Sequence, residues 1–104
     1  MNKDHEVINQ YLDWYESLLT EKQNDVMNMY YRDDFSLSEI AENMDISRSA
    51  VSDLIRRVTK TLDEYEQKLH LVKKYHARSQ CYENLKKLNL EEVNKIVDAL
   101  YECE

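Results

Sequence analysis

An all-helical fold follows from three features of this 104-residue chain. It has no Gly and no Pro, the residues that strands and tight hairpins need at their turns. Its apolar residues recur at steps of three and four, the period of amphipathic helices. Capping signals, Ser or Thr followed three residues later by Glu or Gln, precede several of these stretches. With 42% hydrophobic and 34% charged residues, the composition is that of a folded chain with a small core, not a disordered one. Without glycine, a helix that ends through a left-handed residue must use Asn or Asp there.

The first helix is expected over about residues 5–19, where Ile8, Tyr11, Leu12, Tyr15, Leu18 and Leu19 form one apolar face and Val7 and Trp14 widen it. Core packing accounts for Trp14 and the tyrosines. Thr20 and Gln23 make a capping box for a second helix that buries Val26, Met27, Tyr30 and Tyr31. Arg32, Asp33 and Asp34 read as a polar link. Ser36 and Glu39 form a second box, for a third helix with Leu37, Ile40, Ala41 and Met44 inside.

The turn at Asn43, Met44 and Asp45 is the centre of the chain's main motif. Ala41 is small where the next helix must cross closely. Asp45 stands where such turns often carry Gly, and Asp tolerates a positive φ better than most residues. Ile46 fills the corner, Ser47 caps the fourth helix, and Val51 and Leu54 point back to the core. The spacing of Ala41, Asp45, Val51 and Leu54 is that of a helix-turn-helix, whose second helix is shaped for the major groove of DNA.

The fourth helix meets no evident breaker. Val51, Ile55, Val58, Leu62, Tyr65, Leu69, Val72 and His76 alternate steps of four and three, a heptad pattern. A continuous helix from Arg48 to His76 would be roughly 43 Å long, too long for so small a domain to cover. Val58, Leu62, Tyr65, Leu69, Val72 and His76 are therefore expected to form the seam of a homodimer; the alternative is a helical hairpin within one chain. Helix is expected to continue from Ala77 to Leu88, with Tyr82, Leu85 and Leu88 apolar. Asn89 should cap a last helix, with Glu92 at the capping-box position. Leu90, Val93, Ile96, Val97, Leu100 and Tyr101 make its buried stripe. A single helical domain is expected, with the helix-turn-helix at about residues 20–60 and a dimerisation part at about 60–104.

No catalytic motif is present: no nucleophile elbow, no Gly-rich phosphate loop, no HExxH. An enzyme is not expected, nor a cofactor. His70 and His76 lie six apart, not at the spacing that puts two ligands on one helix face, and Cys81 and Cys103 lack metal-ligand spacing. No apolar run approaches a membrane span and MNKDHEVINQ is no signal peptide, so a cytoplasmic protein with reduced thiols is expected.

The net charge of −7, from 14 basic and 21 acidic residues, runs against the basic surplus usual in DNA binders. Within residues 35–60, however, Arg48, Arg56, Arg57 and Lys60 balance Glu39, Glu42, Asp45 and Asp53. The candidate nucleic-acid surface is the start of the fourth helix: Ser47, Arg48, Ser49, Ser52, Asp53, Arg56 and Arg57. Ser36 and Ser38 stand at the start of the third, placed to donate to phosphates beside the helix N-terminus. Arg suits guanine edges or phosphates, and Ser suits either. Asp53 repels a phosphate backbone unless it meets a cytosine amino group. The competing reading is that Arg48 and Arg56 only balance local acids.

The segments LTEKQ, YY-x-DD-x-SL-x-EIAE and ISR-x-AV, with the later DEYEQKLHL and Arg78-Ser79-Gln80, resemble the YlxM-like family of small bacterial helix-turn-helix proteins. The resemblance runs from about Leu12 to Leu88. Its first part is also similar to region 4 of bacterial sigma factors, which reads promoter DNA. The resemblance implies a cytoplasmic, DNA-binding regulator encoded beside the protein components of the signal recognition particle and taking part in that targeting pathway. The alternative it leaves is a protein-interaction module that binds the particle's GTPase or RNA, and the acidic balance would suit a basic partner there.

Overall fold

The computed structural model describes residues 5–104. Among them are six α-helices, one 3-10 turn and no strand: α1 (His5–Tyr15), the turn Glu16–Leu18, α2 (Glu21–Tyr31), α3 (Leu37–Met44), α4 (Arg48–Leu69), α5 (Leu71–Lys86) and α6 (Glu91–Cys103). Contacts gather these into two compact units, one running through His70 and the other from Leu71 to Glu104.

In the first unit α1, α2 and α3 all pack on α4. Ile8, Leu12 and Tyr15 of α1, Val26, Met27 and Tyr31 of α2, Ile40 of α3 and Val51, Ile55, Val58 and Leu62 of α4 form one buried core. Each such side chain contributes about 1.5–3 kcal/mol by leaving water. Local chemistry sets the helix starts. Thr20 and Gln23, and Ser36 and Glu39, close both halves of their capping boxes; Ser47 Oγ accepts from Ala50 N at 3.1 Å. Arg32 ties α1 to the end of α2: it donates to Asp13 at 2.7 Å, to Glu16 at 2.9 Å and to Asn28 at 2.7 Å.

Four of the described residues take positive φ: Asp34 (57°), Asp45 (56°), His70 (56°) and Asn89 (52°). Each stands just beyond a helix. In a chain without glycine these are the residue types that enter the left-handed region most readily, since Asn, Asp and His are all enriched there. The expectation named Asn and Asp but overlooked His.

That omission corrects the fourth helix. It does not run on to His76: α4 ends at Leu69, where the His70 N–H bonds to Glu66 O at 2.9 Å in a left-handed cap, and α5 begins at Leu71. The heptad pattern is thus divided between two helices. Val58 and Leu62 are buried in the core of their own unit, Tyr65 is half-buried with its ring 5.9 Å from that of Tyr15, and Leu69 is 45% exposed. Val72 and His76 lie on α5. Leu18 also departs from expectation. α1 stops at Tyr15, the tighter 3-10 turn advances each residue by a larger angle, and Leu18 is left 54% exposed.

The second unit is an antiparallel hairpin of α5 and α6. Arg78 and Tyr82 both bond to Glu104, Tyr101 donates to Glu83 at 2.6 Å, and Lys86 pairs with Asp98 at 2.9 Å. The rings of Tyr82 and Tyr101 meet edge to face at 4.8 Å. Asn89 does not cap α6. It ends α5 instead, and Leu90 occupies the N-cap with no side-chain bond. Of the stripe expected to be buried on α6, Val97 is buried, Val93 and Tyr101 are half-buried, and Leu90, Ile96 and Leu100 are exposed.

Candidate nucleic-acid interface

The turn between α3 and α4 is a Schellman motif closed without glycine. Asp45 sits at φ 56°, ψ 47°; the Ile46 N–H reaches Ala41 O at 3.1 Å and the Asp45 N–H reaches Glu42 O at 3.4 Å. This arrangement satisfies the Ala41 and Glu42 carbonyls in the last turn of α3 and fixes the exit of the chain. Ile46, half-buried, follows in the corner. Ser47 then starts α4, its hydroxyl 3.2 Å from that of Ser49.

Val51, Ile55, Val58 and Leu62 hold one side of α4 in the core. At about 100° per residue, Ser49, Ser52, Asp53, Arg56, Arg57 and Lys60 must occupy the other side. Arg56, Arg57 and Lys60 are exposed; Ser52 and Asp53 are half-buried. Ser47, Ser49, Ala50, Ser52, Asp53 and Arg56 line one shallow depression, and Leu37, Arg48, Ser49 and Ser52 line a second beside it. The start of α3 and the first two turns of α4 therefore share one open surface. Arg57 lies at its edge, in a further depression with Gln23 and Leu54. Ser36 and Ser38 are exposed on the α3 side. The Ser36 backbone N–H is already given to Glu39 Oε1 at 2.8 Å, so toward an anion Ser36 has only its hydroxyl to offer. The Ser36 bonds hold the Glu39 carboxyl below its ordinary range, keeping the cap closed at lower pH.

Asp53 is the hub of this surface. Its Oδ1 pairs with Arg56 and its Oδ2 accepts from Arg57 Nε at 3.0 Å. Arg56 and Arg57 are thus held by a local acid. Among the described residues, Arg48 and Lys60 take part in no ion pair with an acid. Over residues 48–60 of α4 four cations, Arg48, Arg56, Arg57 and Lys60, stand against one acid, Asp53. Lys60 was not among the expected site residues. Its place was readable, because nine residues from Val51 is half a turn off the core side.

No group of three or more His, Cys, Asp or Glu that could hold a metal occurs among the described residues. None of their helices is long and apolar enough to cross a membrane. Cys81 and Cys103 are free and exposed.

Residues 1–100 match the family described as "Putative helix-turn-helix protein, YlxM / p13 like". The chain is 45% identical over 98 residues to the UPF0122 protein YlxM of Bacillus subtilis, covering 89% of each chain. It is 53% identical over 79 residues to a UPF0122 protein of Halalkalibacterium halodurans, covering 76% of this chain and 72% of the other. To a UPF0122 protein of Bacillus licheniformis it is 46% identical over 95 residues, covering 89% of each.

Proposed function

We propose, from the premise that this chain belongs to the YlxM/p13-like family of helix-turn-helix proteins, that it is a DNA-binding regulator that reads the major groove with α4. The observation that carries this reading is the exposed side of α4, with Arg48, Ser49, Ser52, Arg56 and Arg57 set beyond the Asp45 turn. In a helix-turn-helix the first turns of the second helix approach base edges. Arg48, in the first turn and without an acid partner, is the candidate for a bidentate contact to guanine. Arg56, Arg57 and Lys60 lie further along, where phosphates flank a docked helix. The hydroxyls of Ser36 and Ser47, at the starts of α3 and α4, add donors for phosphate.

Through His70 the chain has eight basic and fifteen acidic residues, so the whole net charge of −7 lies in the first unit. This weakens sequence-independent attraction to DNA, and binding then depends on a matching site. The test is selection of bound fragments from a random DNA pool at low salt, followed by affinity measurement on the selected site. Arg48→Ala should weaken that site by about 10- to 100-fold, as for a lost bidentate base contact. No enrichment over many rounds, or an unchanged affinity in the variant, overturns the reading.

The same concentration of acid supports a second reading, in which the first unit docks on a basic protein or RNA–protein surface, such as the signal recognition particle to which the family resemblance points. Titration of the full chain against the particle's GTPase and against its RNA tests it. Saturable binding that weakens with salt is the expected result, and no binding at micromolar concentrations removes it.

A further inference from the structure

We infer that Asp53 is a specificity residue, selecting DNA sites that place a cytosine amino group against its carboxylate. The inference rests on the reading of α4 as the groove-reading helix, and it names a base that this helix requires. Asp53 stands about 200° round α4 from the fully buried Ile55, on the side opposite the core. It lines one depression with Ser47, Ser49, Ser52 and Arg56, and a further one with Gln23, Leu54 and Arg57. Asp53 therefore lies between the two, near the line of α4 that a groove would meet first. Ser49 precedes it by four residues, about one turn nearer the helix start.

An acid at that place lowers the attraction of α4 to every phosphate, whatever the sequence. Its ion pairs do not account for it by stability, because exposed pairs three and four residues apart add little to folding. What the pairs do is aim the carboxylate. Arg56 and Arg57 return about 60° and 40° to either side of Asp53. One guanidinium takes Oδ1, and the other takes Oδ2 at 3.0 Å. The carboxylate is thus gripped from both flanks, and the three side chains together carry a single positive charge. A carboxylate has about four lone-pair sites. The two arginines occupy one on each oxygen, so each oxygen keeps another that can accept from a base.

The base edges then decide the partner. Asp53 can only accept. In the major groove guanine and thymine present acceptors to it, which repel a carboxylate. Adenine offers its N6 amino group with the N7 acceptor alongside. Cytosine offers its N4 amino group with no acceptor of its own beside it. Of the four bases, cytosine suits this carboxylate best.

The test uses the DNA site that the full wild-type chain selects from a random pool. Each base pair of that site is replaced in turn, and fluorescence anisotropy gives affinities for wild type, Asp53→Ala and Asp53→Asn. Alanine favours helix, so Asp53→Ala keeps α4 intact. Wild type should show a position where replacing C·G costs roughly 5- to 20-fold in affinity, in the lower range for one mismatched pair. In Asp53→Ala that cost should fall to within about 2-fold, while the costs at other positions stay as in wild type. Asp53→Asn should accept adenine at that position as well as cytosine, because an amide both accepts and donates. If Asp53 only restrains its two arginines, Asp53→Ala tightens every sequence by one factor and leaves the profile of costs unchanged, which overturns the inference. A preference lost for any base other than cytosine overturns it too. A selected site that responds to Arg48→Ala but shows an unchanged profile in Asp53→Ala sinks this inference alone. Failure to select any site removes the groove-reading role of α4 with it.

Discussion

The Tyr15 hydroxyl donates to Glu66 Oε1 at 2.6 Å, joining the end of α1 to the last turns of α4 across 51 residues of sequence. Both side chains are buried: Tyr15 is fully enclosed and Glu66 is 8% exposed. An acid on the inner side of α4 is thereby satisfied next to the helix's end at Leu69. Glu66→Ala should cost about 1–3 kcal/mol in urea unfolding, because it strands a buried hydroxyl. Tyr15→Phe should cost a similar amount by removing a donor from the carboxylate. The double change should cost less than the two added together, since both single changes break one bond. Strict additivity would show that the contact is energetically idle.

Asp53 restrains the cations of the candidate DNA surface. Asp53→Asn removes the charge that holds Arg56 and Arg57 and the charge that repels phosphate. It should tighten DNA binding and steepen the dependence of log K on log salt by about one to two phosphate equivalents, measured by fluorescence anisotropy. The pairs are exposed, so folding stability should change by less than about 1 kcal/mol. Unchanged affinity and slope would place the contact surface elsewhere.

The left-handed residues are sites where glycine improves on the native choice. His70→Gly and Asp45→Gly should each be neutral or stabilise the chain by up to about 1 kcal/mol, the left-handed penalty partly offset by the freedom glycine adds to the unfolded chain. Asp45→Val should destabilise by about 1–2 kcal/mol or more, because a β-branched residue resists positive φ. Denaturant midpoints measure both. A marked loss on His70→Gly would mean that the imidazole has a role beyond ending α4.

The Glu104 carboxyl is held at about 2, well below its ordinary 4.5, by hydrogen bonds first from Arg78 and then from Tyr82. The folded form therefore binds the proton less readily than the unfolded one. The stability this contributes is complete above about pH 4.5 and is lost as pH falls through about 2. Hydrogen exchange of the α6 amides should be slower in wild type than in Glu104→Gln at neutral pH, and the difference should vanish toward pH 2. A difference that persists at that acidity would assign the effect to packing.

Local rules wrote much of this structure into the sequence. Thr20 with Gln23, Ser36 with Glu39, and Ser47 mark their helix starts because a cap needs only residues three positions apart. Asp45 announces the turn because few residues other than glycine accept its φ. The side of α4 that carries Arg48, Asp53 and Arg56 was equally legible, since Val51, Ile55 and Val58 fix which side is buried. The ion pairs of Asp53 were not, because its bonding to both Arg56 and Arg57, three and four residues on, is settled by side-chain rotamers.

By itself the sequence determined the helical class, the turn between α3 and α4 and the outward side of the fourth helix. Tertiary structure alone decided what covers each apolar stripe. A repeat of three and four specifies a side that avoids water, and it is silent on whether that side meets α1, another segment or another chain. Val58 and Leu62 therefore read like a seam between copies and turned out to lie in the core of one unit. Ile96 and Leu100 read like core and turned out to face water, because a single helix, α5, shields only one side of α6. Burial is a property of the whole packed arrangement, and periodicity records only its direction.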